Sequence, residues 1–175
     1  MILLMGLAGS GKGTQGKLLS EKLDYEYIST GDYLRQYLSE ERKSQILAGK
    51  LVDDNEMIRI IDDFLSSAKK ESILDGFPRS EEQANWLLQK HNKDEINIEA
   101  LIYLKVSREE LIDRLLARGR ADDNEEAIKT RFEEYSRATS PIIENYKKKG
   151  IKIIEVNGSG TVDNIHKNIL KQLNK

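Results

Sequence analysis

Three groups of residues in this chain have types and spacings suited to holding phosphate. The first is GLAGSGKGT, residues 6–14, which carries the spacing G-x-x-x-x-G-K. Gly6, Gly9 and Gly11 let the backbone turn sharply and aim several N–H groups inward. Lys12 follows at the start of a helix pattern, where its ammonium can reach the outer phosphates of a nucleotide. The second group is DGFPR, residues 75–79. Its carboxylate can orient the water shell of Mg²⁺, and its arginine can grip a phosphate through two parallel N–H donors. Taken alone, this run would read as a structural corner. The third is RLLARGRADD, residues 114–123. Arg114 and Arg118 stand one turn apart on a helical face, where like charges mildly destabilise the helix. Arg120 and Arg131 are eleven apart, close to three turns, and so roughly aligned. Either this run is a solvated helix end or its arginines face an anion, and the glycine loop upstream favours the anion.

Such groups need elements that bring them to one place. Apolar runs at 2–5, 27–29, 72–75, 100–106 and 152–156 read as strands. Helices are expected over 12–23, 31–48, 54–69, 80–90, 107–118, 123–148 and 162–173. Continuous apolar strands separated by helices imply an α/β fold, with a parallel sheet covered on both faces. Ligands bind such sheets at the carboxyl ends of the strands. There the glycine loop follows the first strand, and Asp75 ends the third. Residues 30–70 hold no convincing strand and read as a helical insertion. Pro141 interrupts the pattern of 123–148 and predicts a kink or break near Ser140.

The 175 residues suffice for one domain with a sizeable core. Lys and Arg total 28 against 30 Asp and Glu, a net charge of -2. That balance gives no reason to expect a nucleic-acid or membrane partner, so any anion site is local. The absence of cysteine excludes disulfides, thiolate catalysis and cysteine zinc sites. The apolar start MILLM is too short for a signal peptide or a membrane span. The expectation is a cytoplasmic protein, a monomer by default with an oligomer left open.

In the glycine loop, Lys12 is followed by Gly13 before the hydroxyl of Thr14. GSGKGTQ, STGDYLR (29–35), AGKLV (48–52), DGFPR and the arginine series together resemble the adenylate kinase family of nucleoside monophosphate kinases, over nearly the whole chain. The loop carries Ala8 where most members have proline. The resemblance implies a P-loop kinase fold: five parallel strands in the order 2-3-1-4-5 with helices on both faces. It also implies a helical AMP-binding insertion at about 30–59 and a vestigial lid at about 118–122. The implied reaction is ATP + AMP ⇌ 2 ADP with Mg²⁺, by direct in-line transfer.

Site residues carry over from the same resemblance. Gly9, Ser10, Gly11, Lys12, Gly13, Thr14, Arg114, Arg118 and Gly160 would bind ATP, with Arg114 packed on its adenine. Thr30, Arg35, Lys50, Leu51, Val52, Gly76, Phe77, Pro78, Arg79, Gln83, Arg120 and Arg131 would bind AMP. Lys12, Arg79, Arg118, Arg120 and Arg131 would be catalytic. Asp75 would serve Mg²⁺ through a bound water, and no zinc site is expected. Gln83 stands where adenylate kinases read the adenine of AMP and where pyrimidine-specific relatives tend to carry asparagine. A UMP/CMP kinase is therefore the runner-up. A P-loop module that senses ATP without transferring phosphate is the alternative from another class, and an acceptor pocket argues against it.

Only Gly119 separates Arg118 from Arg120, where longer relatives insert a lid domain and short forms carry a few more residues. Smaller closure, and more ATP hydrolysis without acceptor, are expected. Asp122 and Asp123 are expected to cap the next helix in boxes with Glu125 and Glu126, and to pair with the arginines while the site is empty. Thr30 is expected to cap the helix that follows it. NKDE (92–95) reads as a polar turn, His91 and His166 as surface or satisfied histidines, and Trp86 as core. The lysines at 147–149 read as ending a helix before Gly150.

Overall fold

The computed structural model describes residues 1–37, 53–120 and 123–175. Lys50, Leu51, Val52 and Asp122 therefore lie outside the described residues. Five strands form one parallel sheet: β1 (Ile2–Met5), β2 (Glu26–Ser29), β3 (Ser72–Asp75), β4 (Ala100–Lys105) and β5 (Ile153–Asn157). Their order is β2-β3-β1-β4-β5, as the family resemblance implied. The central strands ILLM and SILD are buried at every position, which is why they show no polar alternation. Register sets Leu4 of β1 beside Asp75 of β3 and Ile102 of β4. The carboxyl ends of β1 and β3 are thus level, and the glycine loop emerges next to Asp75 and Gly76.

The helices are α1 (Lys12–Leu23), α2 (Thr30–Tyr37), α3 (Asp54–Ser67), α4 (Glu81–Asn92), α5 (Arg108–Arg118), α6 (Glu125–Glu134), α7 (Ser140–Lys148) and α8 (Val162–Leu173). Alternate residues of β1 face opposite sides of the sheet. Leu3 and Met5 pack with Met57, Ile61, Leu87, Ile142 and Tyr146 from α3, α4 and α7. Ile2 and Leu4 pack with Leu19 of α1 and Ile165 and Ile169 of α8. A smaller cluster joins Leu111 and Leu115 of α5 to Ile128 and Phe132 of α6, with Leu7 and Ala8 of the glycine loop against it. Full burial of one such side chain contributes about 1.5–3 kcal/mol, so this cluster anchors the arginine-bearing helices to the loop.

Three local expectations change. The helix expected over 123–148 is α6, a π-helical turn at Tyr135–Thr139, and α7. The chain stays helical throughout, and the π turn gives way to α-helix at Ser140, the position before Pro141. Pro141 sits in the first turn of α7, where a missing N–H does no harm, and the wider π turn absorbs the offset. Thr30 is not the cap of α2; Ser29 Oγ accepts from Asp32 N at 3.3 Å. Thr30 instead donates to the carbonyls of Asp75 and Gly76, at 3.1 and 3.0 Å, and ties α2 to the end of β3. Asp123 does not cap α6 either. Asn124 does, accepting from Ala127 N at 2.9 Å, because charged guanidinium donors outcompete one backbone N–H for the Asp123 carboxylate.

The reading of His166 as a surface or satisfied histidine fails, since its Nδ1 is buried with no hydrogen-bond partner among the described residues, but those of the lysines, His91 and Trp86 hold. Lys147 and Lys148 close α7 before Gly150, which has φ +84°. His91 is satisfied by the backbone of Ile96 and Ile98. Trp86 packs edge-on against buried Phe77 with ring centroids 6.0 Å apart. Among the described residues, no helix is long and apolar enough to cross a membrane.

Candidate active site

A cavity of about 600 Å³ opens where the glycine loop meets the carboxyl ends of β2 and β3. Lys12, Asp75, Arg35, Arg79, Arg114, Arg118, Arg120 and Arg131 all line it. The arginines of RLLARGRADD therefore face a common space with the loop, rather than forming a solvated helix end.

The loop leads into α1 through Gly11, a left-handed residue at φ +94° with no capping side chain. The first N–H groups of α1 thus keep their affinity for an anion. Lys12 folds back over the loop, donating to the carbonyls of Gly6 (2.7 Å) and Leu7 (2.9 Å). Burial lowers its pKa to about 8; Asp75 opposes the shift, while Arg79 and Arg118 add to it. Ser10 Oγ is buried and lacks a hydrogen-bond partner among the described residues. A desolvated ammonium facing the cavity fits a loop built to receive phosphate oxygens.

Asp75 is buried at the end of β3, and its Oδ2 accepts from the Tyr27 hydroxyl at 2.7 Å. Burial first, then the Asp75 charge, pushes the Tyr27 phenol well up, so it remains a neutral donor. Tyr27 was missed from sequence; the available signal was Gly16, where a Cβ would come 2.3 Å from the Tyr27 ring. Among the described residues no cluster of three metal-ligating side chains exists. A lone carboxylate suits Mg²⁺, which keeps most of its waters and is held chiefly by phosphates.

Arg79 follows the cis Phe77–Pro78 bond. Its Nε donates to the Gly76 carbonyl at 2.7 Å, and its own carbonyl accepts from Thr139 Oγ1 at 2.8 Å. Burial is the main influence lowering its pKa, with Asp75 opposing. Gly76 has φ +84°, and a Cβ there would lie 2.6 Å from Thr30 Oγ1. Gln83 is buried; its Oε1 accepts from Arg79 N and its Nε2 donates to Asp54 Oδ1, both at 2.7 Å. Arg35 pairs with Asp32 at 2.6 Å.

Asp123 organises the third group. Its side chain is fully buried and receives Arg118 through two bonds, Nε–Oδ2 at 2.8 Å and Nη2–Oδ1 at 2.6 Å. Arg131 Nη1 and the Arg120 backbone N–H add contacts at 3.4 and 3.3 Å. Burial tends to raise the Asp123 pKa, but the Arg118 bonds and charge outweigh it and hold the carboxyl below its ordinary range. The pairing expected between this residue and the arginines is present. Arg114 donates to the Gly158 carbonyl at 2.9 Å and to Glu110.

Of the sequence-derived residues, Phe77 packs in the core, Ser10 is buried and Gly160 is exposed; none of the three lines the cavity wall. Gly158, not Gly160, is the close-packed glycine: a Cβ there would meet Val106 at 2.7 Å and the Ser10 carbonyl at 3.2 Å. The crowded V-N-G turn after β5 was its only sequence signal.

The family described as Adenylate kinase matches residues 4–151 of this chain. An adenylate kinase of Corynebacterium aurimucosum is 41% identical, over 99% of this chain and 98% of its own length. Those of Leptospira biflexa and Prochlorococcus marinus are 41% and 40% identical. The first alignment covers 98% of both chains, the second 98% of this chain and 97% of the relative.

Proposed function

The chain belongs to the adenylate kinase family, and we propose how its residues divide the transfer of phosphate from ATP to AMP. The glycine loop and Lys12 hold the outer phosphates of ATP, Lys12 exchanging the Gly6 and Leu7 carbonyls for phosphate oxygens. Arg114 and Arg118 extend that donor side. Arg35 and Arg79 fix the AMP phosphate, Thr30 and Gly76 shape the acceptor pocket, and Gln83 reads the base. Lys50, Leu51 and Val52 complete the acceptor side on the strength of the resemblance. Arg118, Arg120 and Arg131 spread positive charge around the phosphoryl group in flight.

Adenylate kinases use ATP with Mg²⁺; Asp75 would hold that ion through water, and the bound ion neutralises phosphate charge. No general base is needed, since alignment and charge neutralisation carry phosphoryl transfer. One well-placed arginine is worth roughly 10³–10⁵ in rate, or about 4–7 kcal/mol.

The carrying observation is that arginines from α2, the β3–α4 turn, α5 and α6 line one cavity with Lys12. On the resemblance, residues at about 30–59 would be the AMP-binding insertion and those at about 118–122 a vestigial lid. We place the enzyme in the cytoplasm, as a monomer by default with an oligomer left open.

The test is to supply ATP, Mg²⁺ and each of AMP, CMP, UMP and GMP, and to follow ADP. AMP as the best acceptor is the expected result. Preference for CMP or UMP would establish the runner-up, and ATP binding without ADP formation would establish the sensing module.

A further inference from the structure

Gln83 is 2% exposed, and both ends of its amide are engaged. Oε1 accepts from the Arg79 N–H and Nε2 donates to Asp54 Oδ1, each at 2.7 Å. A backbone N–H only donates and a carboxylate only accepts, so these two partners fix which end of the amide is oxygen. A half-turn of the amide would set Nε2 against a donor and Oε1 against carboxylate lone pairs. Two hydrogen bonds would be lost, one of them charge-assisted. Among the described residues, each end keeps one further position: a lone pair on Oε1 and an N–H on Nε2.

We infer that Asp54 sets acceptor-base specificity by holding Gln83 in the orientation that suits a 6-aminopurine and opposes a 6-oxopurine. This rests on the reading that Gln83 contacts the acceptor base. Adenine offers an exocyclic donor beside a ring acceptor, the complement of the oxygen and N–H that Gln83 keeps. Hypoxanthine and guanine offer an acceptor beside a donor, and so require the flipped amide.

Helix stability alone does not account for Asp54. It stands in the first turn of α3, where any carboxylate is favoured. The capping bond there comes from Asp53, whose Oδ1 accepts from Glu56 N at 3.1 Å. Asp54 instead reaches an amide 29 residues away in sequence, beside the residue proposed to hold the acceptor phosphate. Arg79 serves both ends of the acceptor, its guanidinium toward phosphate and its backbone N–H toward the base-reading amide.

The experiment is steady-state kinetics with AMP and with inosine 5′-monophosphate. The enzymes are wild type, Asp54→Ala, Asp54→Asn, Gln83→Ala and the Asp54→Ala/Gln83→Ala double variant, each checked by thermal unfolding. Asp54→Ala is expected to raise the KM for AMP about tenfold with kcat within about threefold, and to lower the AMP-to-IMP ratio of kcat/KM at least about tenfold. Asp54→Asn is the rescue. Its amide can still accept from Nε2, so the KM returns to within about threefold of wild type. It can also rotate to donate to a flipped Gln83, so the ratio stays low. In the Gln83→Ala background, Asp54→Ala should change the ratio no further.

A wild-type ratio in Asp54→Ala and Asp54→Asn, with a lowered ratio in Gln83→Ala, overturns the role of Asp54 alone. An unchanged ratio in Gln83→Ala overturns both this inference and the base-reading beneath it. If Asp54→Ala fails to fold, the near-isosteric Asp54→Asn carries the same comparison.

Discussion

Two kinds of cation face the same cavity and are held in opposite ways. Lys12 and Arg79 lean on neutral carbonyls, those of Gly6, Leu7 and Gly76. Arg118 and Arg131 share the buried carboxylate of Asp123. Carbonyl dipoles orient a charge but do not cancel it, so burial lowers the pKa of both Lys12 and Arg79. An arriving phosphate relieves that strain directly. One carboxylate already offsets part of the charge of Arg118 and Arg131, so a phosphate there must displace or share an existing anion. The first kind favours tight capture; the second lets a crowded arginine cluster fold.

The largest expected effect tests the first kind. Arg79→Ala should lower kcat by about 10³ or more while leaving the fold intact, because among the described residues its guanidinium makes one hydrogen bond, to the Gly76 carbonyl. A coupled ADP assay beside circular dichroism measures both. Near-normal turnover would remove Arg79 from the acceptor site.

Asp123→Ala should invert that pattern. It removes the carboxylate that receives Arg118 twice, Arg131 once and the Arg120 backbone N–H, and so takes a negative charge out of the arginine cluster. Arg118 is 33% exposed, so solvent screening keeps the loss to about 2–3 kcal/mol, or roughly 4–12 °C in Tm. Saturating ATP with Mg²⁺ should at least halve the gap from wild type, since phosphate oxygens replace the lost carboxylate. An equal gap with and without nucleotide would mean that these arginines do not clamp phosphate.

This division was only partly legible in the sequence. The loop, Asp75 and the arginine spacing could be read because each lies within one short run whose geometry follows from local rules. The strand order came from the resemblance, since parallel pairing joins strands far apart in the chain. Partners across such distances stayed hidden: Tyr27 with Asp75 is 48 residues apart, and Arg114 with Gly158 is 44. Asp123 shows the opposite failure. Its spacing fitted a capping box, but the stronger arginine donors brought by α5 and α6 won the carboxylate, and neighbouring Asn124 took the cap. Ser29 and Thr30 exchanged roles likewise, once β3 offered Thr30 two carbonyls.

Lys12 sharpens the comparison through pH. Its pKa in the fold, about 8, lies below the ordinary 10.5. Between those values the unfolded chain binds more protons, so the contribution of this group to stability rises with pH across that window and is flat below it. Binding runs the other way. Phosphate needs the charged lysine, so the KM for ATP should climb above pH 8, approaching about tenfold per pH unit, or about 1.4 kcal/mol. A guanidinium keeps its charge over this range whatever its setting, so kcat at saturating ATP should fall less steeply. A KM flat from pH 7 to 9.5 would show that Lys12 is not stored in a depressed state.

The smallest effect probes what keeps a carbonyl-held cation in place. Thr139 ends the π turn and donates 2.8 Å to the Arg79 carbonyl, from a buried position. Thr139→Val keeps the shape and removes the donor, leaving one acceptor unmade at about 1 kcal/mol, or roughly 2–4 °C in Tm. The backbone of Arg79 then loses one of its two flanking restraints, the other being its N–H to Gln83. The KM for AMP should rise severalfold while the KM for ATP stays within about twofold, because the phosphate loop does not share this contact. Nucleotide should not rescue the Tm, in contrast to Asp123→Ala, since phosphate supplies no donor to a backbone carbonyl. Equal loss of affinity for both nucleotides would mean that the π turn supports the whole cavity rather than Arg79.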